Sequence, residues 1–194
     1  MTITLKQDQG WDGLRQYIMT SSRVVTFRVD KDVISAVEQE SKRLGINLNN
    51  MANQILKSYT DWDMLQARAG MIPIAKPLLV ALLNKVSNEE IVSIATNVGR
   101  NTMKGIVSFM RNQMDLDSFL TWLELWLRKN STSGYNHSID DKTNVHTYMI
   151  KHDLGEKWSL YHKTVLEVIF KEVLQKPIIN LTSSNMLITF SFRR

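Results

Sequence analysis

An α+β fold is predicted for this chain of 194 residues, and three observations predict it. Residues 24–29 alternate in polarity with the period of a strand. Several stretches between Asp30 and Leu127 repeat apolar residues at helical spacing. Residues 135–192 read as hairpin, helix, hairpin, a small antiparallel sheet with one packed helix. The expected organisation is an arm over 1–22, a strand-helix-helix module over 23–69, and a mixed helical and α+β domain over 70–194.

In the module, Val25, Phe27 and Val29 alternate with Val24, Thr26 and Arg28, so one face of the strand is apolar. Asp30 is placed to cap a helix whose apolar side is Val33, Ile34, Val37 and Leu44. Gly45 supplies the left-handed residue that ends it. Asn47 caps the next helix, whose apolar face is Leu48, Met51, Ile55, Tyr59 and Trp62 and which is expected to run on toward Ala69.

A lone strand has an unpaired edge, and about 40 residues hold too little core for a monomer. Pairing the strand with its copy from a second chain answers both difficulties. The resulting ribbon rests its inner face on the helices and leaves its outer face free for the major groove of DNA. The pieces TFRVD, the helix ending RLG, and INLNNMANQIL resemble the ribbon-helix-helix repressors of the Arc, MetJ and CopG type, over roughly 40 residues. The resemblance implies a homodimer, or a higher even oligomer, bound to double-stranded DNA. It implies that the outward residues Val24, Thr26 and Arg28 contact bases, and that Asn47, Leu48 and Asn49 anchor a phosphate at the start of the second helix. Val24 departs from the polar types common on the outward face, and Asn stands where Ser or Thr is frequent.

Beyond the module, residues 73–85 read as a short helix with Pro73 and Pro77 near its start. Ser87 and Glu90 form a capping-box signature before a helix carrying Ile91, Ile94, Ala95, Val98, Met103 and Val107, with Gly99 and Gly105 inside it. A further helix covers 116–129. Residues 130–144 are a polar loop with an edge strand over 135–139, and 145–151 is a strand. Asp153 is the expected cap of an amphipathic helix over 155–174, and strands at 178–182 and 186–192 close the chain. The segment HDLGEKWSLY resembles C-terminal domains of archaeal ribbon-helix-helix proteins, which implies only a two-part arrangement.

The apolar fraction of 43% is enough to bury a core, and the absence of cysteine excludes disulfide and thiolate chemistry. No apolar run reaches the length of a membrane span, and MTITLKQDQG lacks a signal-peptide pattern, so a cytoplasmic location without a membrane is expected. The net charge is +5, but residues through Gly70 carry 9 Lys/Arg against 8 Asp/Glu, and the remainder 15 against 11. DNA binding by the module therefore rests on local geometry, not on bulk charge.

His137, His146, His152 and His162 include no pair at i, i+4, so no metal and no other cofactor is expected. Trp122, Trp126 and Trp158 are read as core more readily than as a pocket lining. No nucleophile motif or phosphate-binding loop is present, and no enzyme is expected. The expected function is a dimeric, sequence-specific DNA-binding transcriptional regulator, a repressor by its resemblance, whose C-terminal domain senses a small-molecule or protein effector or mediates assembly. The alternative is an antitoxin-like dimerisation and protein-interaction module without DNA readout.

Overall fold

A computed structural model describes residues 24–130 and 133–194. The expected arm over 1–22, with Trp11, Leu14 and Ile18 at helical spacing, and Arg23 lie outside the described residues. The chain divides into two compact units, residues 1–51 and 52–194.

In the first unit, residues 24–30 have no regular secondary structure. The expected strand is not formed in the single chain, where the described residues offer it no ladder partner. Helix α1 (Lys31–Arg43) follows, and Asp30 stands at its N-cap with extended geometry but makes no side-chain capping bond. Asp32 in the first turn and Lys42 and Arg43 in the last suit the helix dipole. Gly45 has φ +67°; its N–H reaches Lys42 O at 3.1 Å and that of Ile46 reaches Ser41 O at 3.0 Å. These two bonds form a Schellman ending, which needs a left-handed residue at Gly45. Helix α2 (Leu48–Ser58) starts two residues later, and the division between the units falls within it.

The second unit takes the rest of α2, a π-helical turn (Tyr59–Asp63) and the single turn α3 (Met64–Gln66). Gly70, at φ +80°, ends this run with the same pair of bonds, Gly70 N–H to Ala67 O and Met71 N–H to Gln66 O. Helix α4 (Lys76–Lys85) opens with proline in its first turn, the place where a missing N–H costs nothing. Helix α5 (Asn88–Asn97) opens with a complete capping box between Ser87 and Glu90. It continues through a π turn (Val98–Thr102) into α6 (Met103–Arg111). The helix thus runs through both glycines. At Gly99 a Cβ would lie 3.1 Å from the Cβ and Cγ1 of Val168, so glycine is what lets the following elements approach here. Helix α7 (Leu116–Asn130) buries Phe119, Leu120, Trp122, Leu123 and Leu127.

Strands β1 (Tyr135–Asp140) and β2 (Val145–Lys151) form one hairpin, and β3 (Ile178–Ser183) and β4 (Leu187–Arg193) the other. Between them lies α8 (Glu156–Val168), extended by a π turn (Ile169–Val173). The sheet is antiparallel throughout, in the order β1-β2-β4-β3. Tyr148 lies opposite Phe190 and Ile150 opposite Ile188. With Phe192 they form the buried face, against Phe119, Leu166, Ile169 and Phe170. The α+β class and both hairpins follow the sequence pattern.

One expectation is corrected. Asp153 is not the cap of α8; Gly155 is, at φ +84°, while Asp153 takes an ion pair with Lys76 at 2.7 Å. By compactness the chain divides at 51/52, beside the boundary expected at 69/70. Trp62 is 2% exposed, belongs to the core of the second unit and meets Trp122 at 6.4 Å between ring centroids. Its Nε1 donates to Gln66 Oε1 at 2.9 Å, and Asp63 pairs with Lys129 at 2.8 Å. A fragment of residues 70–194 should therefore melt well below one of residues 52–194. In the full chain Trp62→Ala should cost about 3–5 kcal/mol in urea unfolding, as expected for a large side chain removed from a core. Equal stability of the two fragments would show that the second unit does not use this tryptophan.

Candidate nucleic-acid interface

Val24, Thr26 and Arg28 lie along the segment leading into α1, and all three are exposed. Val25, Phe27 and Val29, the face expected to turn inward, are exposed as well, at 56%, 64% and 45%. Among the described residues of this unit no apolar side chain is buried, and Val33 and Leu44 on α1 are about half exposed. Apolar exposure of this density over one short segment marks a surface that water does not favour.

The second group of expected site residues meets in one helical turn. Asn47 Oδ1 accepts the N–H of Asn50 at 2.8 Å, and Asn47 O accepts that of Met51 at 3.0 Å. The side-chain bond is an N-cap, so the expected role of Asn47 as cap is met. The N–H groups of Leu48 and Asn49 belong to the first turn, where a helix has no acceptors of its own. No acidic residue occupies that turn of α2, whereas α1 carries Asp32 and α5 carries Glu89 and Glu90 there. The positive end of the α2 dipole is thus uncompensated by a local carboxylate, which favours an anion.

Two polar clusters of the second unit are networks of hydrogen-bonded side chains. His152 and Ser159 are both buried, with Nε2 and Oγ 2.7 Å apart. The N–H of Leu154 donates to His152 Nδ1 at 3.3 Å, so the ring proton sits on Nε2 and points at the serine. Ser159 Oγ in turn donates to Ser184 O. The imidazole therefore gives a hydrogen bond to the hydroxyl and does not withdraw its proton, the reverse of a nucleophile and its base. The three groups tie the end of β2, the first turns of α8 and the β3–β4 turn together. This pair escapes a sequence reading because seven residues of turn and helix separate its members.

A second cluster lies across β1 and β2. His137 Nε2 is 3.0 Å from His146 Nδ1, and His137 Nδ1 is 3.5 Å from Glu124 Oε1. The buried Tyr148 hydroxyl donates to the same carboxylate oxygen at 2.9 Å, and burial followed by the Glu124 contact raises its pKa. His137 stacks on Tyr148 at 4.0 Å and His146 on Phe192 at 5.4 Å. Among the described residues no group of three or more His, Asp or Glu side chains is placed to hold a metal ion. Trp122 is buried in the core, while Trp126 and Trp158 are half-buried beside His162.

Comparison with known proteins finds no matching family model, curated protein or solved structure.

Three buried or half-buried histidines, His146, His152 and His162, predict acid sensitivity of the fold. Trp126, Trp158 and Tyr161 surround His162, and burial lowers its pKa from the ordinary 6.5 to about 4. Burial also lowers the pKa values of His146 and His152. Each folded value lies below the unfolded one, so between the two the unfolded chain binds the extra proton. Their contribution to stability is present above the unfolded value and is lost as pH falls from about 6.5 toward 4. The urea midpoint should fall over this window, and His162→Phe should flatten the fall. A midpoint independent of pH would mean that these rings are solvated.

Proposed function

We propose that the first unit works as a dimeric, sequence-specific DNA-binding module, with residues 24–29 of two chains paired as an antiparallel ribbon. The observation that carries this reading is the exposed alternating segment. Val25, Phe27 and Val29 are exposed, and the segment has no ladder partner among the described residues. A second copy supplies both the backbone partner and the cover. The two helices that follow, with the Schellman ending at Gly45 and the cap at Asn47, supply the rest of the expected strand-helix-helix pattern.

In the paired ribbon, Val24, Thr26 and Arg28 face outward. Arg28 offers two parallel donors to guanine, Thr26 a hydroxyl to several bases, and Val24 a contact to a thymine methyl. The first turn of α2 at Asn47, Leu48 and Asn49 receives a backbone phosphate, which fixes the register without reading sequence. The chain would act without catalysis, by occupying a pseudo-palindromic operator as a transcriptional regulator.

Operator selection from genomic fragments followed by titration tests this reading. Arg28→Ala should lose about 1–3 kcal/mol on the selected site and much less on random DNA. An equal loss on both would make Arg28 a phosphate contact, and a dimer that selects no DNA would leave a protein-interaction module.

The N–H groups at Asn47–Asn49 hold a phosphate without neutralising it, and the N-terminal 70 residues are near neutral. Salt dependence should therefore be moderate, about two to four phosphate equivalents per dimer, each contributing near −0.9 to the slope of log K against log salt. A much steeper slope for the full chain would bring cations of residues 71–194 onto the DNA.

A further inference from the structure

Helices α5 and α8 pack together in the second unit, and a groove of about 380 Å³ lies between them. Small-molecule sites ordinarily measure roughly 300–1,000 Å³. Val92 and Thr96 line the groove from α5, and Leu160, Thr164 and Val168, four residues apart, line it from α8. At one end the backbone of Gly99 comes against Val168. There Arg100 also donates from Nε and Nη2 to the Glu172 carboxylate at 2.6 and 2.9 Å. Both helices run into their π turns at this end, and single π turns inside α-helices recur at functional sites.

Thr164 is the residue that points to a ligand. It is 7% exposed, and its hydroxyl makes no hydrogen bond with a described residue. Helical threonines can return the hydroxyl to a carbonyl of the preceding turn, as Thr121 does to Asp117 O at 2.7 Å. A buried hydroxyl left without such a bond is costly, and this one belongs to the groove wall.

The charge of the groove selects the ligand. Lys163, Lys171, Glu167 and Glu172 line it. Arg100 already occupies the Glu172 carboxylate, and Lys163 stands 3.9 Å from Glu167. A neighbouring hollow shares Glu167 and Lys171 and adds Lys176. Three lysines thus face one carboxylate that no arginine holds, which favours a negative ligand. Thr164 is in mid-helix, where the backbone N–H groups are engaged, so the free N–H donors that cradle a phosphate at a helix N-terminus are absent from its turn. A hydroxyl with lysines near it suits a single carboxylate.

We propose that the groove between α5 and α8 binds a small amphipathic carboxylate, with its head group on the Thr164 hydroxyl and its apolar chain against Val92, Leu160 and Val168. Lys163 and Lys171 supply the compensating charge. Ligand pockets are commonly built in this way, from an apolar wall with a few polar groups that fix orientation. The site lies wholly within the second unit and does not depend on the ribbon reading.

The test is calorimetric titration of the full chain with octanoate, 1-octanol and inorganic phosphate, with amide chemical shifts to locate the site. Wild type is compared with Thr164→Val, Thr164→Ser and the double variant Lys163→Gln and Lys171→Gln. The hydroxyl has no protein partner, so Thr164→Val should keep the wild-type melting curve. Octanoate should bind with a Kd below about 1 mM and shift amides of α5 and α8. Thr164→Val should weaken it about tenfold, the worth of one hydrogen bond to a charged group. Thr164→Ser keeps the hydroxyl and should bind like wild type, while the double lysine variant should lose affinity severalfold. Octanol should bind more weakly than octanoate, and phosphate should not displace it. Absence of saturable octanoate binding overturns the proposal, as do shifts confined to other elements. Equal affinity of Thr164→Val and wild type, or an equal loss in Thr164→Ser and Thr164→Val, overturns the role of the hydroxyl and the site built on it. Octanol binding as tightly as octanoate would leave an apolar cleft without anion recognition, and phosphate displacing octanoate would leave an anion held by surface lysines; either result overturns the assignment.

Discussion

A β-strand must find a ladder partner for its backbone N–H and C=O groups, and this requirement shapes both units. In the second unit it is met inside one chain. Two hairpins join edge to edge through β2 and β4, and the side chains opposite one another there, Tyr148 with Phe190 and Ile150 with Ile188, become the centre of the core. Residues 24–30 have the alternation of a strand but no such neighbour among the described residues, and they stand as irregular chain with Val25, Phe27 and Val29 exposed. The same physics that closes the four-stranded sheet leaves this segment without a ladder among the described residues, and the ribbon proposed above would supply one.

Several buried polar groups of the second unit pair with one another, while Trp122 Nε1 and Arg111 Nε have no hydrogen-bond partner. His152, Ser159 and Ser184 O form a chain in which each donor has one acceptor, and Tyr148 and His137 converge on Glu124. Such groups are costly when unpaired and specify geometry when paired. They hold the ends of strands and helices in register. Burial penalises the charged ring of His152, and likewise of His146 and His162, and lowers their pKa values. The exposed ion pairs, Lys76 with Asp153 and Arg100 with Glu172, contribute little by comparison because water screens them.

Among the described residues, the segment around Phe27 and the side of α4 with Leu78 and Leu82 both leave apolar side chains exposed. They differ in kind. The first combines exposed apolar side chains with a backbone that has no ladder partner among the described residues. The second has its backbone bonds made within α4 and offers side chains alone.

The sequence by itself determined the elements. Alternation located all four strands of the sheet within a residue or two, helical spacing located α1, α2, α5, α7 and α8, and the signatures at Gly45, Asn47 and Ser87–Glu90 placed their ends. These are local signals, fixed by dihedral preference and by the period of burial. The candidate site was legible to the same extent: the cap at Asn47 is local and was readable, while the proposed pairing of residues 24–29 would depend on a partner outside the single chain. What only the tertiary structure decided is contact between distant residues. Asp153 resembled a cap until Lys76, far away in sequence, claimed its carboxylate. Trp62 resembled the end of a DNA-binding helix until it met Trp122 in the core of the second unit. The exposure of Leu78 and Leu82 was hidden for the same reason: an apolar helix reads alike whether it is enclosed or bare, and only packing distinguishes the two.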